Sequence, residues 1–195
     1  DVNDPRVQVI RADGKRAYPD IAETYQRTLV VVNPARSIPY AVDLFEVAGG
    51  TTHDYFLHGD ADDAFSLESL LTLTPLSSLL PAETAWLVTR NEGEAQRVSQ
   101  PHYAYGFLRN LQTTWLESNQ PISLNWVRAS DGRHYLRTWL IPQSRSQLVV
   151  GENPSIRQAR EDDAQLENFQ RPFAMVRHTA GTVPSRFVSL LEPYR

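Results

Sequence analysis

The chain alternates apolar and polar residues in short runs, and this pattern recurs along most of its length. Successive side chains of a strand point to opposite faces of a sheet, so each run predicts a half-buried β-strand. Turn-forming residues separate the runs about every ten positions, a spacing typical of β-sandwiches. The predicted strands are residues 6–11, 27–33, 40–47, 53–59, 84–90, 113–117, 122–128, 134–141, 147–150, 173–178 and 186–191. We predict a single all-β domain over residues 1–195, an antiparallel β-sandwich of large stacked sheets with few short helices.

Three features predict how the first strands connect. Asp13 and Gly14 follow the first run, and an Asp-Gly pair predicts a type I′ hairpin turn. Residues 27–33 form a nearly continuous run rich in β-branched side chains, which predicts a central strand covered on both faces. Together with residues 40–47 and 53–59, this strand is predicted to form a meander.

The clearest predicted hairpin joins residues 122–128 to residues 134–141 through Asp131 and Gly132. Alternation puts three side chains of the first strand on one face: Leu124, Trp126 and Arg128. It puts an arginine and two aromatic residues on one face of the second strand: Tyr135, Arg137 and Trp139. The candidate ligand-binding residues of this aromatic and arginine surface are Arg128, Arg137 and Trp139. A packing role is favoured over ligand binding for the tryptophans, because large aromatic side chains mostly contribute to cores.

Helical signals are few. Residues 65–71 and 162–169 could each form two turns of helix, but neither segment is long enough to build a helical layer. No apolar run reaches the roughly 20 residues of a membrane-spanning helix, so we expect no membrane span. The chain starts at Asp1 without a methionine, and we expect it to be a piece of a longer protein.

The charge balance argues against nucleic acid as a partner. The formal net charge is −4, whereas nucleic-acid binding needs clustered and unopposed positive charge. Lys15 is the only lysine, so nearly every cation is an arginine, whose planar fork suits carboxylates and sulfates. The sequence contains no cysteine, which excludes disulfides, thiolate metal sites and cysteine nucleophiles.

Two consecutive predicted strands carry a group of candidate metal ligands: Asp43, His53, Asp54 and His58. His53 and His58 are five positions apart, so on a regular strand they point to opposite faces and do not bind one metal together. Either histidine could join Asp43 across adjacent strands and form half of a zinc site. The alternative, which we favour, is that both histidines are hydrogen-bonded residues of the core or of a sheet edge.

The sequence lacks the Gly-x-Ser-x-Gly elbow, the P-loop, the Gly-x-Gly-x-x-Gly fingerprint and the His-Glu-x-x-His motif. Hydrolase, kinase and dehydrogenase functions therefore have no support. His102 and Tyr103 are a candidate base and acid for removing a proton next to a carboxylate. The favoured alternative is a solvated loop with packed tyrosines, because the sequence indicates no third residue that would orient this pair.

Residues 25–32, 40–50 and 53–59 resemble the C-terminal β-sheet region of heparinase II/III-type polysaccharide lyases. Residues 173–178 and 185–194 are similar to the end of the same region. The resemblance spans most of the chain and rests on strand motifs. It implies a larger bacterial enzyme, secreted or periplasmic, in which an α/α toroid precedes the β-domain and uronic-acid polysaccharides are cleaved by β-elimination.

The same resemblance implies where metal binding and catalysis take place. Asp43 and His58 stand where two ligands of a zinc ion in the β-domain would fall. Thr24 and Gln26 stand where those lyases tend to carry histidines, and this departure suggests a divergent branch. The catalytic tyrosine of such lyases lies in the toroid, so we expect this chain to be inactive by itself.

Three functions remain open from the sequence. The first is an accessory or structural β-domain of such a lyase, which packs against the toroid and closes one side of a cleft for acidic polysaccharide. The second is a non-catalytic carbohydrate-binding or adhesive β-sandwich that contacts anionic sugars through Arg128, Arg133, Arg137 and Trp139. The third is a purely structural interaction module.

Overall fold

The computed structural model describes residues 2–35, 37–81, 88–99, 104–117, 119–160, 162–181 and 183–194. Its strands, in chain order, are β1 (Val2–Asp4), β2 (Val7–Asp13), β3 (Thr24–Val32), β4 (Tyr40–Ala48), β5 (Thr52–His58), β6 (Phe65–Ser69), β7 (Thr74–Pro75), β8 (Val88–Glu92), β9 (Ala95–Ser99), β10 (Arg109–Leu116), β11 (Ile122–Arg128), β12 (His134–Ile141), β13 (Ser146–Pro154), β14 (Gln170–Thr179) and β15 (Ser185–Pro193). The described strands pair antiparallel. The predicted all-β class is confirmed.

Helical structure is limited to short segments within these ranges. The α-helix α1 (Ile156–Ala159) is a single turn, and 3-10 turns occur at Lys15–Ala17, Ala104–Phe107 and Asp163–Asn168. The last of these turns lies in the segment predicted as helical, residues 162–169. None of the helices described here is long and apolar enough to span a membrane.

Two large sheets form the sandwich. The eight-stranded sheet has the order β1-β2-β3-β4-β15-β12-β11-β6, and the five-stranded sheet has the order β5-β14-β13-β10-β7. Strands β8 and β9 pair with each other as a separate ribbon. The chain passes between the two sheets repeatedly: β5, β7, β10, β13 and β14 belong to the smaller sheet, whereas β6, β11, β12 and β15 belong to the larger one.

The core lies between the two sheets and takes side chains from both. Leu124 and Leu140 come from the eight-stranded sheet, and Leu148, Ala174 and Val176 come from the five-stranded sheet. All of these side chains are buried. Complete burial of one leucine side chain contributes roughly 1.5–3 kcal/mol, so this cluster is a main source of the stability of the sandwich.

A second apolar cluster covers the opposite face of the five-stranded sheet. Its buried members are Leu111, Val149, Phe173 and Met175, and Leu76, Leu79 and Leu108 pack against them together with Phe56. The five-stranded sheet is therefore covered on both faces. This explains why β14 is buried continuously over residues 171–176.

The prediction that residues 27–33 are covered on both faces is wrong. Strand β3 does lie inside its sheet, between β2 and β4, but its residues are half-buried or exposed. A run of β-branched residues indicates a strand with a half-buried surface, whereas full cover of both faces depends on distant segments.

The predicted meander ends after its second strand. β3 pairs with β4, but β5 pairs with β14 in the other sheet. Gly49 and Gly50 have positive φ angles of 92° and 77° at the turn that redirects the chain. A Cβ atom at Gly49 would lie 2.0 Å from the carbonyl oxygen of Ile21, so the turn requires glycine there.

Two other local predictions are also wrong. Gly14 has a φ of −101° and leads into a 3-10 turn, so β2 and β3 are joined by a longer connection than a type I′ turn. Residues 65–71 contain strand β6 instead of a helix, because this segment pairs with β11 and forms the edge of the eight-stranded sheet. Part of the predicted strand 84–90 lies outside the described residues, and residues 88–90 belong to β8.

Candidate functional site

The hairpin predicted at Asp131 and Gly132 is present and joins β11 to β12. Gly132 has a φ of 66°, and the backbone N–H of Arg133 donates to Asp131 Oδ1 at 3.1 Å, which closes the turn. An open groove of about 530 Å³ lies beside the turn. Its larger side chains are Arg128, Arg133, His134, Tyr135 and Tyr194. We call it the hairpin groove.

A register shift in the hairpin determines the surroundings of Tyr135. Trp126 pairs with Leu136 and Val127 pairs with His134, so Tyr135 is an extra residue on β12. Such a bulge re-aims the side chain of the extra residue.

Tyr135 consequently lies with Arg128 instead of Arg137. The Arg128 guanidinium carbon is 4.4 Å from the centroid of the Tyr135 ring, and the Phe65 ring is 5.8 Å from it in an edge arrangement. The prediction from strict alternation that Tyr135 shares a face with Arg137 and Trp139 missed this shift.

The Arg128 guanidinium has no close acceptor. Its Nη1 atom is 3.6 Å from Asp131 Oδ2, and its Nε atom is 3.9 Å from Asp63 Oδ2. Both distances are too long for hydrogen bonds. The Nε atom is buried and has no hydrogen-bond partner among the described residues. Among the described residues, Arg128 therefore has only long ion pairs, and its Nε has no hydrogen-bond acceptor.

Arg137 and Trp139 are close together, and Arg137 Nε, Arg137 Nη2 and Trp139 Nε1 have hydrogen-bond partners, whereas Arg137 Nη1 makes only a 3.8 Å ion pair with Glu192. Arg137 Nε donates to Asn125 Oδ1 at 3.3 Å, its Nη2 donates to the Tyr194 hydroxyl, and its guanidinium carbon lies 5.6 Å from the Trp139 ring. Trp139 Nε1 donates to Glu192 Oε2 at 3.3 Å. Because Arg137 also lies 4.8 Å from the Tyr194 ring, it holds in place a side chain that lines the hairpin groove.

Trp126 has the packing role that the sequence favoured. Its side chain is buried, and its Nε1 donates to Thr138 Oγ1 at 2.9 Å. The indole N–H thus finds a partner inside the core, as a buried tryptophan requires.

Asp43 is buried between the two sheets, where its charge is neutralised. Arg27 Nε donates to both carboxylate oxygens at 2.9 and 3.0 Å, and the Tyr55 hydroxyl donates to Oδ2 at 2.7 Å. Only 1% of Asp43 is exposed. Its hydrogen bond raises the pKa of Arg27, and burial raises the pKa of Tyr55 well above the ordinary value of a tyrosine. The tyrosine hydroxyl therefore stays protonated.

His58 lies on the other side of the five-stranded sheet. It is exposed, and its Nδ1 is 3.3 Å from Asn153 Oδ1. Asp43 belongs to the eight-stranded sheet, so the proposed pair does not span neighbouring strands and the structure does not bring Asp43 and His58 together. Within the described ranges there is no group of three or more His, Cys, Asp or Glu residues that could hold a metal ion. The zinc implied by the resemblance stays a prediction.

His53 points inward, to the face opposite His58, as predicted. Its Nε2 lies 2.5 Å from the Gly49 carbonyl oxygen, and its Nδ1 lies 2.8 Å from Ser185 Oγ. A carbonyl oxygen can only accept, so Nε2 carries the proton and Nδ1 accepts from the serine hydroxyl. The same Ser185 oxygen is 2.8 Å from His178 Nδ1 and accepts its proton. This chain of hydrogen bonds ties β5 and β14 to β15, and hence one sheet to the other.

Asp54 is the centre of an ion pair on the outer face of the five-stranded sheet. Arg177 donates to its two carboxylate oxygens from Nε and Nη2, both at 2.8 Å. The Tyr105 hydroxyl donates to Asp54 Oδ2 at 2.5 Å, and burial followed by this hydrogen bond raises the pKa of Tyr105. The three side chains fix the Ala104–Phe107 turn over the sheet.

An apolar pocket of about 420 Å³ opens next to this turn and includes Phe56, His58 and Tyr105. Alternation in residues 53–59 indicates that Phe56 and His58 share a face, but it cannot indicate that Tyr105 closes over them. The candidate base and acid, His102 and Tyr103, lie outside the described residues.

No family model matches the chain, and no curated protein matches it. The resemblance to heparinase II/III-type lyases consequently stays a prediction from the strand motifs.

Proposed function

We propose that this chain is a β-domain that binds acidic polysaccharide, and that it serves as an accessory domain of a heparinase II/III-like lyase. The observation that carries the proposal is the guanidinium of Arg128, which stacks on Tyr135 beside an open groove and makes only long ion pairs, at 3.6 and 3.9 Å, with described carboxylates. A carboxylate or sulfate of a glycan would supply the acceptors that Arg128 lacks, because a guanidinium binds such groups through two parallel hydrogen bonds.

Arg133 is a second cation beside the hairpin groove and favours the same ligand class. Arg133 is 83% exposed on its side chain and lies 3.9 Å from Asp131 Oδ2, a weak pairing at the surface. His134 is 3.1 Å from Glu68 Oε2. Asp131 makes only long ion pairs with Arg128 and Arg133, so an incoming anion competes with a weak partner.

The remaining parts of the proposal come from the resemblance. In a longer secreted or periplasmic protein, an α/α toroid would supply the catalytic residues, and this chain, as one β-domain over residues 1–195, would bind substrate without cleaving it. Arg137 would act by positioning Tyr194 at the edge of the hairpin groove, since its Nη2 donates to the Tyr194 hydroxyl, and Trp139 would pack beside the Arg137 guanidinium.

The binding proposal is tested by retention of the purified chain on immobilised heparin, hyaluronan and polygalacturonate at low salt, with dextran as the neutral control. We expect Arg128→Gln to weaken retention about tenfold, because a charge-assisted hydrogen bond contributes about 1.5–3 kcal/mol. Arg128→Lys should be intermediate, because it keeps the charge and loses the planar fork. The matched control is Arg16→Gln at an exposed arginine, and we expect it to leave retention unchanged. Equal retention of all these variants, or none by the wild type, would contradict the proposal.

The lyase parentage is tested separately. A longer form that includes the preceding region should release products with the absorbance of unsaturated uronate from an acidic glycan. Binding by the chain without such activity in the longer form would favour the free-standing carbohydrate-binding or adhesive β-sandwich.

A further inference from the structure

Four polar side chains meet between the two sheets where β13 and β15 begin. His53 on β5 pairs with His178 on β14, and His178 pairs in turn with Ser146 on β13. Residues directly opposite each other in an antiparallel pair project from the same face, so these three lie side by side. Ser185 reaches both histidines from β15 of the other sheet. We call these four residues the histidine–serine cluster.

The two imidazole rings of the histidine–serine cluster direct the same atom at one point. His53 Nδ1 and His178 Nδ1 each lie 2.8 Å from Ser185 Oγ. One hydroxyl has a single proton, so it donates to only one of the two rings. Two imidazole nitrogens on neighbouring strands that converge on one oxygen have the arrangement of two ligands of one metal ion.

The ring of His53 already has the tautomer that a metal ligand needs. Its Nε2 donates to the Gly49 carbonyl oxygen at 2.5 Å, which leaves the lone pair on Nδ1. Histidines that bind metals commonly donate their other ring N–H to a backbone carbonyl or a carboxylate, and this hydrogen bond fixes the tautomer and the orientation of the ring. His53 is therefore oriented as a ligand before any ion binds.

Ser146 supplies an independent observation beside His178. Only 1% of Ser146 is exposed, and its hydroxyl has no hydrogen-bond partner among the described residues. Buried hydroxyls are nearly always hydrogen-bonded, because an unpaired one is unfavourable. The hydroxyl of Ser146 could bind a metal-coordinated water, as Ser185 could from the opposite sheet.

The chemistry of the cluster favours transition metals. Imidazole nitrogen suits Cu²⁺, Ni²⁺ and Zn²⁺, whereas Mg²⁺ and Ca²⁺ prefer oxygen ligands. Among the first three ions, Cu²⁺ generally binds nitrogen ligands most tightly. His53 is 7% exposed and His178 is half-buried, so an ion would enter past His178.

We propose that the histidine–serine cluster binds one divalent transition-metal ion through Nδ1 of His53 and Nδ1 of His178, with Cu²⁺ bound most tightly. Metal bonds to imidazole nitrogen are about 2.0–2.1 Å long, so the ion lies between the two rings and draws them together. The proton on His178 Nδ1 moves to Nε2, and the ring stays neutral. The site shares no residue with the hairpin groove or with the Asp43 and His58 pair, so the inference goes beyond the proposed function.

The test is a titration of the full chain with Cu²⁺, Ni²⁺, Zn²⁺ and Mg²⁺, after a chelator and dialysis have removed bound metal. We expect one Cu²⁺ per chain, affinity for Zn²⁺ about tenfold lower, and no binding of Mg²⁺. Cu²⁺ should also raise the melting temperature. Paramagnetic broadening of NMR signals by Cu²⁺ should be strongest at His53, His178 and Ser185. The inference is overturned if Cu²⁺ does not bind saturably, if Zn²⁺ binds as tightly, or if the broadening is centred anywhere else.

A pair of variants keeps the test specific. His178→Gln removes one of two nitrogen ligands, and we expect it to lower the affinity for Cu²⁺ at least tenfold. His58→Gln is the matched control, because His58 lies on the same strand as His53 and points to the opposite face. We expect this control to leave the affinity unchanged. Equal affinities of His178→Gln and the wild type would overturn the inference.

A second measurement needs no variant and applies even if His178→Gln does not fold. The electron paramagnetic resonance spectrum of the Cu²⁺-loaded wild type should show hyperfine splitting from two imidazole nitrogens, and splitting from one nitrogen or none would overturn the inference. Retention of the metal-free chain on acidic glycans tests the proposed function separately, so the two proposals fail independently.

Discussion

The Tyr55 hydroxyl of the five-stranded sheet donates to Asp43 Oδ2 of the eight-stranded sheet at 2.7 Å, inside the core. The same hydroxyl is 2.8 Å from Ser189 Oγ, and Arg27 closes the cluster by binding both oxygens of Asp43. The two sheets are therefore joined by a polar connection in addition to the apolar core.

Removal of that hydroxyl should destabilise the sandwich. We expect Tyr55→Phe to lower the free energy of unfolding by about 1–3 kcal/mol, because Asp43 and Ser189 would each lose a partner while buried. Urea denaturation measures the change. Tyr135→Phe at the exposed hairpin groove is the matched control, with an expected change below about 0.5 kcal/mol. Equal changes in the free energy of unfolding for the two substitutions would show that the polar connection does not contribute to stability.

The stability of the protein should decrease in mild acid through His178. Burial, followed by the neighbouring His53, lowers the pKa of His178 below its usual 6.5 in the folded state. The unfolded chain then binds a proton more readily than the folded one, so stability that is present above pH 6.5 is lost as pH falls from 6.5 towards the lower folded pKa.

Unfolding free energies measured between pH 8 and pH 5 test this dependence. His178→Gln should give a flatter profile than the wild type, with part of the stability already lost at pH 8 because the hydrogen bond to Ser185 changes. If the unfolding free energies of the wild type and of His178→Gln decreased in parallel with pH, the acid sensitivity would arise from other groups.

Among the glycines with positive φ, Gly49 should tolerate substitution by alanine least. Gly49→Ala places a Cβ 2.0 Å from a backbone oxygen, whereas Gly93→Ala, at φ 66°, meets nothing within 4 Å. We expect Gly93→Ala to cost about 1–2 kcal/mol from backbone strain alone and Gly49→Ala to cost more. Thermal unfolding of both variants gives the comparison, and similar losses would indicate that the turn at Gly49 relaxes.

Metal content tests the zinc that the resemblance implies. If the resemblance holds on this point, elemental analysis after exhaustive dialysis shows stoichiometric zinc, and a chelator lowers the melting temperature. Because His58 lies on the other side of the sheet from Asp43, we expect His58→Ala to leave any bound zinc in place. Absence of zinc together with an unchanged melting temperature would contradict the resemblance on this point.

The prediction of the strands succeeded where local pattern is sufficient. The hairpin at Asp131 and Gly132 and the opposite orientations of His53 and His58 follow from positions close in sequence, and both are confirmed. The β6 edge strand was mistaken for a helix because the segment 65–71 is too short to distinguish the helical repeat of the apolar residues from the two-residue repeat of a strand.

The candidate sites depended more on distant parts of the chain. Arg128 and Tyr135 were both noted, but their contact results from a register shift that alternation does not reveal. The apolar pocket beside the Ala104–Phe107 turn was missed because the Tyr105 ring packs directly on Phe56 while Asp54 binds its hydroxyl, and these contacts join segments far apart in the sequence.

The sequence by itself determined the antiparallel β class, most strand positions and the inward or outward direction of side chains along each strand. These follow from steric and solvation preferences of residues adjacent in the chain. Only the tertiary structure decided that β5 leaves the meander and joins β14, and this choice separates Asp43 from His58. The physical reason is that pairing partners are selected by burial of whole sheet faces, a property of segments far apart in the sequence.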